Sequence, residues 1–129
     1  MIGVLITKLL NDSAALLALV DSTDIYPYII NEDTELPAMI YTIDGTEAEY
    51  SKDGWAYDTV SFSVSAFTND YASLQAIVAE IRDALEWESG TYLTYTYWNI
   101  MLTSLSEGYS ISENVYMNKL SFEVKITTY

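Results

Sequence analysis

The chain has 129 residues, half of them hydrophobic, with 19 acidic and 5 basic side chains, no histidine, no cysteine and a formal net charge of -14. Without imidazole or thiol there is no Ser-His or Cys-His nucleophile pair, no ordinary zinc site and no side chain whose unperturbed pKa lies near neutrality. Lys8, Lys52, Arg82, Lys119 and Lys125 are too scattered for a basic stripe on nucleic acid or a lysine cluster on anionic lipid.

The length is that of one compact domain, read here as residues 1–129 around a single core. With no disulfide framework, the fold must rest on apolar packing, which suits intracellular synthesis. Ile2, Leu5, Ile6, Leu9 and Leu10 recur at intervals of three and four and form a helical stripe. Lys8 and the polar Asn11, Asp12 and Ser13 interrupt the apolar stretch, so it reads neither as a signal peptide nor as a membrane span. Those three residues match a glycosylation sequon, but are better read as a helix break that caps a second short helix carrying Ala15, Leu16, Leu19 and Val20.

Asp21, Ser22 and Thr23 end that helix, and Ile25, Tyr26 and Pro27 follow as an extended segment because proline disfavours helix in the residue before it. Residues 31–35 read as an acidic loop. From Pro37 the period becomes two, with Met39, Tyr41 and Ile43 on one side of a strand, and Asp44-Gly45 marks a turn or bulge. Asp53-Gly54 sets the tip of a long hairpin between Thr46 and Tyr57. The returning strand alternates most clearly, Val60, Phe62, Val64 and Ala66 against Ser61, Ser63 and Ser65.

Thr68, Asn69 and Asp70 cap the principal helix, whose Leu74, Ile77, Val78, Ile81 and Leu85 share a face; Ser89-Gly90 is read as its stop. A tyrosine-rich segment then leads to a strand near Trp98 to Leu105. A polar connection is expected from Ser106 to Glu113, and a last strand from Tyr116 to Thr127 should bury Leu120, Phe122, Val124 and Ile126. The sum predicts an α+β fold: an antiparallel sheet of two long hairpins with helices packed on one face.

Carboxylates are the main catalytic material. Glu47 with Glu49, or Asp53 with Asp58, lie on an exposed ribbon, whereas a glycosidase pair needs a cleft that desolvates one acid. The EF-hand spacing is absent, and five dispersed glycines make neither a dinucleotide fingerprint nor a P-loop. No catalytic, cofactor or metal residue is therefore assigned. Tyr92, Tyr95, Tyr97 and Trp98 are read as sheet packing or subunit contact, with a carbohydrate-stacking platform on Tyr95, Tyr97 and Trp98 as the alternative.

In order, Leu9 to Val20, Ile25-Tyr26-Pro27, Leu36 to Tyr41, Val60 to Val64 with Ala66-Phe67-Thr68, the helix to Trp87, and Met117 to Val124 resemble the tail completion proteins of long-tailed bacteriophages. These are also called tail terminators or tail-to-head joining proteins. The resemblance runs over nearly the whole chain and rests on fold-keeping patterns, without an active-site motif. It implies a non-enzymatic virion protein, made in the bacterial host cytoplasm, that forms a ring, typically a hexamer, at the end of the tail tube. Its implied partners are copies of itself, the tube protein and the head connector, with DNA passing through unbound. Another neck component, such as a head completion protein, is the nearest alternative. Partner contacts are expected at the hairpin tip, Ser51, Lys52, Asp53, Gly54 and Trp55, and at Tyr95, Tyr97 and Trp98.

Overall fold

The computed structural model describes residues 2–21, 24–28, 36–51 and 54–128. Lys52, Asp53, the acidic loop at 31–35 and the helix-ending Ser22 and Thr23 lie outside them.

Helix α1 (Ile2–Asn11) is followed by α2 (Ala14–Leu17), and Ser13 separates them as an N-cap whose hydroxyl accepts from the Leu16 N–H at 3.2 Å. Only Leu16 and Val20 of the second apolar set are buried; Ala15 and Leu19 face outward because α2 is barely one turn long. Among the described residues, six strands form one sheet in the order β1-β2-β3-β6-β5-β4. They are β1 (Ile25–Pro27), β2 (Ala38–Ser51), β3 (Gly54–Thr68), β4 (Gly90–Tyr92), β5 (Tyr95–Ser110) and β6 (Val115–Thr128). The hairpins β2–β3 and β5–β6 meet through an antiparallel β3–β6 seam, and β1 adds a short parallel strand beside β2. The α+β class and the two long hairpins agree with the sequence reading.

Helix α3 (Tyr71–Leu85) connects the hairpins. Asp70 caps it, accepting from the Ser73 N–H at 3.2 Å and the Ser73 hydroxyl at 2.8 Å. It ends earlier than Ser89-Gly90 suggests: Glu86 is the C-cap and Trp87 takes a left-handed φ of 63°. That conformation is uncommon for a bulky side chain. The Trp87 N–H donates to the Ile100 carbonyl at 2.7 Å, so the chain leaves the helix directly onto the sheet edge.

Helices α1, α2 and α3 lie against one face. Leu5, Ile6, Leu9 and Leu10 of α1, Leu16 of α2, and Leu74, Ile77, Val78, Ile81 and Leu85 of α3 share a buried cluster with the alternate residues of β3 and β6. Phe62 and Phe122 stack at its centre, with ring centroids 5.4 Å apart. The principal helix and the two best-patterned strands thus pack as their periodicity predicts.

Two local readings need correction. The tyrosine-rich segment is a small hairpin, β4–β5, with Tyr92 opposite Tyr95. Ser106 to Ser110 is not a connection but the second half of β5, paired with Val115 to Lys119, so the turn shrinks to residues 111–114. Polar composition hid this strand; its pairing with β6, a long-range contact, decides it.

Candidate assembly surfaces

The face away from the helices is set by a phase change in β2. Met39, Tyr41 and Ile43 point toward the helices, packed in or against the core. The register shifts between Ile43 and Gly45, and thereafter Gly45, Glu47 and Glu49 stand opposite Ser61, Thr59 and Tyr57, on the other face. A bulge of one residue reverses every following side chain. Asp44, the inserted residue, accepts from the Ser63 hydroxyl and, at 3.1 Å, from Thr42.

The resulting outer face is small, hydroxylated and acidic. A shallow depression of about 490 Å³ is bordered by Glu47, Glu49, Thr59, Ser61, Glu123 and Lys125, among others. Lys125 lies over the Tyr57 ring, 5.6 Å from its centroid, and Tyr57 meets Trp98 edge-on at 5.7 Å. No described carboxylate is buried, and among the described residues no group of three or more acids converges to hold a metal ion. The described basic residues do not form a patch. Lys8 pairs with Asp12, which raises its pKa by hydrogen bonding, Arg82 pairs with Glu86, and Lys119 stands exposed on β6.

The structure separates the expected contact residues. Ser51 and Gly54 pair at the end of the β2–β3 ribbon, with Trp55 opposite Tyr50. β3 leaves β6 at Asp58, so the ribbon runs on beyond that pairing. Tyr95 and Tyr97 are core residues, 6% and 7% exposed, on the helix side of β5, and burial pushes the Tyr97 phenol pKa up, with Glu88 adding to it. Trp98 faces the opposite way and is half-buried. The three rings therefore form no shared platform, because successive strand residues alternate between faces; Tyr95 and Tyr97 pack in the core.

Other apolar residues are exposed away from these expected contacts. Trp87 is 70% exposed and Ile111, in the β5–β6 turn, 87%. Along β5, Met101, Leu105 and Tyr109 are also exposed. Trp87 borders a depression of about 230 Å³ with Arg82, Glu86, Met101 and Leu102. The signal available in the sequence is the run 89–106, which contains no charged residue in a chain otherwise dense in carboxylates.

No protein-family model and no curated protein matches the chain. Among solved structures, a chain from the virion of a native gene transfer agent particle is similar over 94% of this chain and 90% of its own, with a TM-score of 0.73 and 17% identity. A second solved chain, whose name states no function, is similar over 97% of this chain and 95% of its own, with a TM-score of 0.61 and 11% identity. At such identities the likeness establishes a shared fold over nearly the full length of each chain.

Proposed function

We propose that this chain is a structural virion protein that forms a ring at the end of a phage tail tube and joins the tube to the head connector, without enzymatic activity. The observation that carries the reading is the likeness to the gene transfer agent virion chain, which spans nearly all of both chains. The tail-completion resemblance of the sequence likewise runs over nearly the whole chain. The chemistry is compatible with a conduit: carboxylates at the lumen repel the phosphates of passing DNA, whereas a basic lining would retain them. With protomers at -14, subunit contacts must be uncharged or apolar to overcome mutual repulsion.

The direct experiment mixes the purified protein with unterminated tail tubes and images them in negative stain. Rings seated on one end of each tube are expected. A monomer that leaves tube ends bare and tube length uncontrolled overturns the reading.

A further inference from the structure

Among the described residues, the sheet leaves two half-edges unpaired. On β5 the outer edge is taken by β4 at Tyr95 to Tyr97, and by Trp87 and Glu88 at Ile100; from Met101 to Ser110 no described residue pairs with it. On β2 the outer edge is taken by β1 at Met39 to Tyr41. Tyr28 then extends the cover, its N–H donating to the Tyr41 carbonyl at 2.9 Å and its hydroxyl accepting from the Ile43 N–H at 3.3 Å. From Gly45 to Ser51 no described residue pairs with that edge.

An unpaired edge is a template for another strand, and edges meant to stay single are usually guarded by lysine or proline. Residues 101–110 contain neither. Their one charge, Glu107, is engaged with the start of α3, accepting from Gln75 at 2.8 Å and Tyr71 at 3.1 Å.

Strand direction and cover select the occupant. β2–β3, β3–β6 and β6–β5 are all antiparallel, so β5 runs opposite to β2. A second copy whose sheet continues the first in the same orientation therefore brings its own β2 antiparallel to β5. The covered halves lie at opposite ends of the sheet, because Glu47 is level with Thr59, Lys125 and Trp98 across the ladder. The open halves meet only when the second copy slides along the strands, as in a lap joint. The first copy's β4 then abuts the end of the neighbouring β2, and the neighbour's β1 abuts the end of β5. Charge agrees with this pairing: the strand that carries Glu47 and Glu49 meets one whose neighbouring stretch has no charged residue up to Ser106.

We infer that residues 101–110 of β5 receive residues 45–51 of β2 from a second copy of this chain, in a staggered antiparallel pairing. The contact is head-to-tail, so its repetition closes a ring if the rotation closes. The stagger becomes a tilt of the strands against the ring axis, as in closed barrels. This inference rests on the ring reading above and specifies its contact.

The absence of cysteine makes the test clean. Ser106→Cys on β5 and Glu47→Cys on β2 are exposed and lie on the same face. A bismaleimide reaching roughly 10 Å, about three residues along a strand, tolerates a small error of register. The double variant should give a ladder of dimers, trimers and higher species on a denaturing gel, and each single variant none. Oligomers of wild-type size in sedimentation without that ladder overturn the edge assignment and leave the ring reading standing. Dimers from Ser106→Cys alone also overturn it, since they mean that β5 pairs with itself. A folded monomer at every concentration overturns the ring reading and this inference together.

Discussion

Asp44 stands where β2 gains its extra residue, and its carboxylate accepts the hydroxyl proton of Ser63 on the neighbouring β3. Ser63 is 2% exposed and also shares a hydrogen bond with the Ser121 hydroxyl at 3.3 Å. This bond holds the bulge at the point where β2 turns its carboxylates away from the helices. Asp44→Ala should therefore lower stability by about 1.5–3 kcal/mol, the range for a hydrogen bond to a charged group, read as a drop in the urea midpoint. An unchanged midpoint would show that the backbone alone sets the bulge. Deleting Asp44 removes the bulge without changing the register, because Gly45 to Glu49 keep their partners Ser61 to Tyr57; Glu47 and Glu49 still face away from the helices, and a cooperative unfolding transition is expected from that variant.

The Asp70 cap gives a pH prediction. Hydrogen bonds from the Ser73 hydroxyl and then the Ser73 backbone N–H hold the Asp70 pKa below its ordinary value. A depressed carboxylate pKa contributes stability that is fully present above the unfolded-state value and is lost as pH falls through the folded-state value. Asp70→Asn keeps a capping oxygen but removes the titration. The wild type should lose stability relative to Asp70→Asn as pH falls from about 5 toward 3, with little change between them near neutrality, in paired urea titrations. Parallel curves across that interval would disprove the linkage.

How far the sequence reveals this fold depends on whether one element or two decide a feature. Val60, Phe62, Val64 and Ala66 alternate without interruption, and Leu74 to Leu85 keep a helical period, so β3 and α3 are legible locally and both enter the core. Bulges are not legible in this way. Asn99, at φ 55°, and the register shift between Trp98 and Met101 break the alternation of β5, while Ser106 to Ser110 lack the apolar pattern that marks a half-buried strand. Their strand state comes from pairing with β6. Tyr95 and Tyr97 did carry a legible period-two signal with Thr96 between them, which indicates one buried face; composition alone suggested a surface. The open half-edges appear only once the order of six strands is known.

Net charge makes assembly sensitive to salt. Protomers at -14 repel one another, and raising ionic strength from about 0.01 M to 0.1 M shortens the Debye length from about 30 Å to about 10 Å. Sedimentation should show larger species as salt or magnesium is added. Oligomers that dissociate with rising salt would mean that attractive ion pairs hold the subunits together. The described basic residues already argue against that, since Lys8 and Arg82 are paired within their own chain.

The tip of the β2–β3 ribbon gives the last prediction. The β3–β6 ladder ends at Asp58, with the Thr127 hydroxyl still donating to the Ala56 carbonyl at 3.4 Å, and β2 and β3 run on together to the Ser51–Gly54 pair. Positions 51 to 55 lie outside the β3–β6 pairing, which ends at Asp58, so deleting Ser51 to Trp55 should leave the fold and its unfolding midpoint nearly unchanged. The same deletion shortens the open half of β2 and removes the projecting ribbon, so assembly should fail while circular dichroism remains that of the wild type. Rings of normal size from the deleted chain would show that neither the tip nor the last residue of β2 is required, and would confine the contact to residues 45–50. A deleted chain that unfolds would instead mean that the tip supports the fold, contrary to its position beyond the β3–β6 seam.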